Sequence, residues 1–175
     1  MKKTLIIFAL VIILLGCSSS QKTYTNTFSE SFCKERTIIF TLNQPNSIEI
    51  EMIGPTGGQI PKRPNARRCF AKSIEKLAEE THLNMQYREL YQKSNDSEIH
   101  IEATLDRIFW IFTLSTTEMK ANMKYTVPEY DLTYESSGIF KKSLGLLGEE
   151  NTLIKAMKNA NYLLLKEFDK NNEFK

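Results

Sequence analysis

Histidine occurs twice in this 175-residue chain, tryptophan once and cysteine three times, which leaves little of the usual material for metal binding or catalysis. No Cys-x-x-Cys or His-x-x-x-His spacing exists, so the common zinc arrangements have no ligand set. The phosphate-cradling pattern G-x-x-x-x-G-K-[ST] is absent, and so is the G-x-S-x-G turn that presents a nucleophilic serine. His82 and His100 read as surface residues around a helix-to-strand connection, and the paired carboxylates Glu49 and Glu51 read as outward-facing strand residues. The expectation is a protein that is not an enzyme, with no metal and no cofactor.

Charge of one sign is lacking too. Lys and Arg number 23 against 21 Asp and Glu, and Lys2 and Lys3 account for the difference. Nothing global points to nucleic acid as a partner. Long apolar runs are also scarce. The one that stands out, from Thr4 to Gly16, is about 13 residues, whereas crossing a bilayer takes roughly 20. With Lys2 and Lys3 ahead of it and a small residue at its end, it has the layout of a secretory signal peptide.

Leu14-Leu15-Gly16-Cys17 closes that run and resembles the bacterial lipobox. The resemblance implies cleavage of residues 1–16 and a diacylglyceryl thioether on Cys17, with an N-acyl chain such as palmitate on its amine. Two or three acyl chains make a lasting anchor where one is marginal, at ~0.8 kcal/mol per buried methylene. Ser18 following the cysteine implies the outer membrane, with the domain facing the periplasm. Cys33 and Cys69 then remain in a compartment that permits disulfides, and they are expected to pair. Such a bridge would close a loop of about 37 residues, at ~3 to 4 kcal/mol.

Residues 17–31 are rich in Ser and Thr and read as a flexible lipidated tether, leaving 32–175 as a single α+β domain. Ile38, Phe40 and Leu42, then Ile48, Ile50 and Met52, alternate with period two and predict a hairpin turned by "NQPNS". Residues 54–68 hold three Gly and three Pro, which predicts a long loop. Its Lys62, Arg63, Arg67 and Arg68 make it the most basic stretch after the signal, so Arg63 and Arg67 are candidates for partner binding.

Phe70, Ile74, Leu77 and Ala78 have helical spacing. Ile99 to Leu105, Ile108 to Ser115, Met119 to Val127 and Tyr130 to Tyr134 read as strands, with a tight turn at Asp106-Arg107 and a loop after Tyr134. A second amphipathic helix is predicted over Leu153 to Phe168, capped by Asn151. The architecture expected is an antiparallel sheet of about five or six strands with two helices on one face. Phe109 and Trp110 lie in a strand that is apolar on both faces. Whichever faces the helices belongs to the core, and the other is a candidate interaction residue.

Together with the lipobox, the helix from Cys69, the "IHIEATLDRIFWIFTL" strands and the helix "NTLIKAMKNANYLLLKEF" resemble small envelope lipoproteins. Their α/β domains are similar to the amino-terminal domain of TolB; YajG-like proteins and the outer-membrane activators of penicillin-binding proteins belong to the group. That resemblance implies a membrane-anchored, non-catalytic accessory that binds another envelope protein in assembly, transport or wall synthesis. The alternative is an inhibitor or immunity lipoprotein blocking a hydrolase aimed at the cell wall. A periplasmic hydrolase is the third reading.

Overall fold

Ile38, Ile39, Phe40, Thr41 and Leu42 are all buried, and a strand buried on both faces is typical of parallel pairing inside a sheet. The computed structural model describes residues 28–44, 48–54, 63–91, 96–143 and 148–174. Cys17 and the expected signal peptide, 1–16, therefore lie outside the described residues. Among the described residues six strands form one sheet: β1 Thr37–Leu42, β2 Ile50–Ile53, β3 Met85–Tyr87, β4 Glu98–Phe112, β5 Thr116–Val127 and β6 Leu132–Ser143. The helices are α1 Ala66–Thr81 and α2 Glu149–Lys170.

The α+β class holds, but the sheet is mixed and not antiparallel. Its order is β3-β1-β4-β5-β6, with β2 also on β4. β1 runs parallel to β3 and β4, and β2 runs parallel to β4, while β4-β5-β6 form an antiparallel meander. The predicted β1–β2 hairpin is thus replaced by two short strands laid end to end along one edge of β4. β1 pairs with residues 98–103 and β2 with residues 108–111. The chain does not reverse after Leu42, because Asn43 N donates to the Ala103 carbonyl (2.8 Å) and Gln44 reaches the Leu105 carbonyl. That crossing spans the place where β4 carries a bulge between Leu105 and Arg107. Asp106-Arg107 is this bulge inside a continuous strand and not a turn.

α1 starts after Asn65, whose Oδ1 accepts from Arg68 N at 2.8 Å, and ends at His82 in the left-handed region (φ 59°). It buries Cys69, Phe70, Ser73, Ile74 and Leu77 at three- and four-residue intervals. Arg67 and Arg68 are consequently helical and not part of a loop. α1 returns the chain to β3 beside β1, making a parallel crossover. α2 begins at Gly148, not Asn151, with Glu149 and Glu150 in its first turn and Lys170 in its last, the order a helix dipole favours.

The stretch after Tyr134 is strand and not loop, and Gly138 explains why. A Cβ there would run into the Ala156 carbonyl and the Ala160 nitrogen, so α2 rests directly on the β6 backbone. Ser136 Oγ donates to the Ala160 carbonyl at 3.0 Å. Between the layers lies a buried polar chain. Tyr125 OH donates to Asn161 Oδ1 (2.8 Å), Asn161 Nδ2 to Ser73 Oγ (3.1 Å), and Ser73 Oγ to the Phe70 carbonyl (2.7 Å). This chain ties β5, α2 and α1 together, and burial holds the Tyr125 phenol well above its ordinary pKa. Lys158 adds a second tie between the helices through both oxygens of Glu80, at 2.5 and 2.7 Å.

The ordered body begins before Phe32. Phe28 stacks on Phe32 (5.2 Å between ring centres) and meets Tyr162 edge-on at 5.7 Å. Ser29 donates its backbone N–H and its hydroxyl to Asp169. Residues 28–31 are therefore docked on α2, and a tether reading applies to 17–27, outside the described residues.

Candidate interaction face

Cys33 and Cys69 do not form the expected disulfide. Both are free, buried thiols. Burial pushes the Cys33 thiol up to about 12, with Arg36 and Asp169 as its charged neighbours. It pushes Cys69 up to about 11, where the neighbouring charges include Glu150 and Arg68. Glu150 and Asp169 stand near opposite ends of the 22-residue α2, about 28 Å apart at 1.5 Å per residue. A bridge needs Cα atoms within about 7 Å.

The histidines are separated as well. His82 is the exposed cap of α1. His100 is fully buried, with Nε2 at 2.7 Å from Thr41 Oγ1 and its ring 4.4 Å from that of Tyr91. A hydroxyl beside an imidazole has the makings of a nucleophile and base, but both groups are buried among the described residues. Among the described residues no three His, Cys, Asp or Glu side chains cluster as a metal site, and no helix is long and apolar enough to cross a membrane.

Register decides which aromatics face outward. The helix face of the sheet includes Leu105, Ile108, Trp110 and Phe112 of β4, opposite Met123, Ala121, Met119 and Thr117 of β5. The opposite, outer face carries Phe109 and Ile111, because side chains alternate along a strand. Trp110 is accordingly the core-side residue, packed against the core and 4.9 Å from the Phe112 ring. Phe109 is the one on the open side.

That outer face has two halves. Near the start of β4, Ile39, Thr41 and His100 are buried, with the Tyr91 ring against His100. Beyond the bulge no helix among the described residues covers it. There Ile53 pairs with Ile111, and Phe109 lies between Glu51 and Lys120. Phe109 and Ile111 are half-buried, Ile53 is 46% exposed, and Leu114 at the β4–β5 turn is 96% exposed. An aromatic and aliphatic strip rimmed by charges of both signs is the composition of a protein-docking patch.

The basic residues divide. Arg67 Nε donates to the Gln44 carbonyl at 3.0 Å, which bolts α1 to the chain leaving β1. Arg68 pairs with Glu150 across the helices. Arg63 stays exposed and pairs with Glu49, just ahead of β2, at 3.2 Å, so it borders the open strip by way of β2. Sequence reasoning missed Ile53, Ile111 and Leu114 as members of this patch. The signal available was the absence of a polar residue on either face over "IFWIF".

No family model matches the chain, and no curated protein sequence matches it. Solved structures with distant similarity include the following three. An uncharacterised protein is 5% identical, with 79% of this chain and 92% of that one aligned, at a TM-score of 0.39. The hypothetical protein CT253 from Chlamydia trachomatis is 8% identical over 79% and 96%, at 0.34. A "neuraminyllactose-binding hemagglutinin homolog" from Helicobacter pylori is 10% identical over 78% and 84%, at 0.32. None carries a function across to this chain.

Proposed function

We propose that the chain is a lipoprotein acylated at Cys17, held at the outer membrane, whose domain binds a second envelope protein without catalysing a reaction. The observation that carries the binding half is the partly exposed strip of Phe109, Ile111, Ile53 and Leu114 beyond the β4 bulge. Tethering would raise the effective concentration of this strip near membrane-bound partners. Hydrophobic anchors at its centre would supply affinity, and Arg63, Glu51 and Lys120 at its rim would supply orientation.

Two experiments test the two halves. Metabolic labelling with a palmitate analogue should mark the wild-type chain and leave Cys17→Ser unlabelled; equal labelling of both would overturn the anchor. A photoreactive residue placed in living cells at position 109, and separately at 111, should capture the same discrete envelope protein. A probe at Lys76, on the exposed side of α1, should not. Equal capture at all three positions, or none at 109 and 111 from folded protein, would overturn the docking strip.

A further inference from the structure

β6 is paired with β5 along one edge, and among the described residues no strand pairs with its other edge. That edge is long: Leu132–Ser143, 12 residues, or about 40 Å at 3.4 Å per residue. It also lacks two of the common devices that blunt an edge, since its register with β5 is unbroken and it contains no proline. α2 covers one face of the strand, and Asn159 Nδ2 takes the Ile139 carbonyl at 2.6 Å.

We infer that β6 is a homodimerisation edge, pairing antiparallel with β6 of a second copy about a two-fold axis through Gly138. This goes beyond the docking strip, which lies around β2 and the far half of β4. A second copy fits this edge because the strand is complementary to itself in one register. With Gly138 at the centre, Glu135 stands opposite Lys141 of the second copy, and the same pair recurs on the other side of the axis. Thr133 meets Ser143 and Ser137 meets Ile139, so 11 of the 12 residues of the strand find an opposite number. Moving the centre to Ser137 puts Glu135 opposite Ile139, and moving it to Ile139 puts Glu135 opposite Ser143. Both shifts break the charge pairs, which stabilise strand pairing only when directly opposed.

Apolar groups flank the same edge. Ile139 is 46% exposed on the outer face of β6, and Leu163 on α2 is 49% exposed. Leu163 lies one turn beyond Asn159 on the same side of the helix, and Asn159 touches the β6 backbone. A two-fold axis perpendicular to the sheet keeps both α2 helices on one face and turns these sides toward each other. The strip is about 37 Å long and one sheet-plus-helix layer deep, roughly 20 Å. That is about 700 Å² per copy, near the ~800 Å² typical of a specific interface.

The test is sedimentation of the full chain, extracted in non-denaturing detergent, over a concentration series. Wild type should reach a dimer. Glu135→Lys and Lys141→Glu should each weaken dimerisation about tenfold, and the double variant should recover it. The recovery matters because each single change also disturbs an in-chain neighbour, Lys124 beside Glu135 and Glu118 opposite Lys141, and the double repairs neither. Unfolding midpoints of all four proteins establish that they fold. Should a charge variant fail to fold, Ile139→Lys serves instead and should abolish the dimer. Phe109→Arg should leave the dimer intact, which separates this inference from the docking strip. A monomer at every concentration, a dimer indifferent to these changes, or a double variant as weak as the singles would overturn it. So would a stoichiometric foreign polypeptide held on the edge in place of a second copy.

Discussion

The two faces of one sheet behave differently, although the same three long strands build both. On the helix face, Tyr125, Asn161 and Ser73 close their hydrogen bonds on one another, and Gly138 lets α2 sit on bare backbone. On the outer face, Ile39, Thr41 and His100 are buried, with the Tyr91 ring against His100, whereas Phe109 and Ile111 beyond the bulge are only half-buried. The helix face carries the stability, where each apolar side chain removed leaves a cavity. The far outer face is only half-buried and is left available for contact. The bulge at Leu105/Arg107 marks the border between its sealed and open halves.

This contrast is broken most severely by filling the contact that joins α2 to β6. Gly138→Leu should cost about 3 kcal/mol or more and lower the urea midpoint accordingly; a stability within 1 kcal/mol of wild type would show that α2 does not rest on the strand. Next in size, Asn161→Ala removes the oxygen acceptor of the buried Tyr125 hydroxyl, leaving it the Met123 sulfur at 3.4 Å, and should cost about 1–3 kcal/mol, read in the same unfolding curve. Replacing Lys120, on the outer face, with Ala should by comparison stay within about 0.5 kcal/mol.

The sulfurs sharpen the picture by chemistry. Burial raises both thiols, to about 12 for Cys33 and about 11 for Cys69, so both should resist alkylation at neutral pH while the protein is folded. On unfolding without any reductant, mass spectrometry should then show two alkyl groups added on Cys33 and Cys69. A reductant requirement would restore the disulfide.

A smaller effect concerns Asp169. Burial pushes its carboxyl up, but the Ser29 hydroxyl and backbone N–H, with Lys166, outweigh that and hold it below the ordinary range. A depressed carboxyl stabilises the fold fully above its unfolded pKa of about 3.9. That contribution is lost as pH falls through the lower folded value. Hydrogen exchange at the Ser29 amide should accordingly lose protection on acidification below about pH 4, relative to the same titration of Asp169→Ala. Identical profiles would mean that residues 28–31 are held by the Phe28 stack alone.

Much of this architecture was legible in the sequence, because period-two and helical spacings mark local structure directly. β5 and both helices lie close to where alternation and the Phe70–Leu77 and Leu153–Phe168 spacings put them. Strand direction was not legible, since alternation is the same for parallel and antiparallel neighbours. The clue is Ile39, an apolar residue between Ile38 and Phe40 that leaves β1 apolar on both faces. β6 was hidden by Ser136, Ser137 and Gly138, residues that read as loop until a helix backbone lies against them. The cysteine pair misled because a count of two carries no distance. Of the candidate site, Phe109 was legible as one of two alternatives, and register chose between them. Ile53 and Leu114 entered only through three-dimensional placement.

The central claim is that the open half of the outer face binds and does not hold the fold together. Its most direct measurement is capture by a photoreactive residue at position 111 in cells, with Phe109 intact or changed to Arg, alongside the unfolding midpoints of both proteins. The account predicts a capture yield at least about tenfold lower with stability changed by less than about 1 kcal/mol. An undiminished yield from the folded Phe109→Arg protein would contradict it.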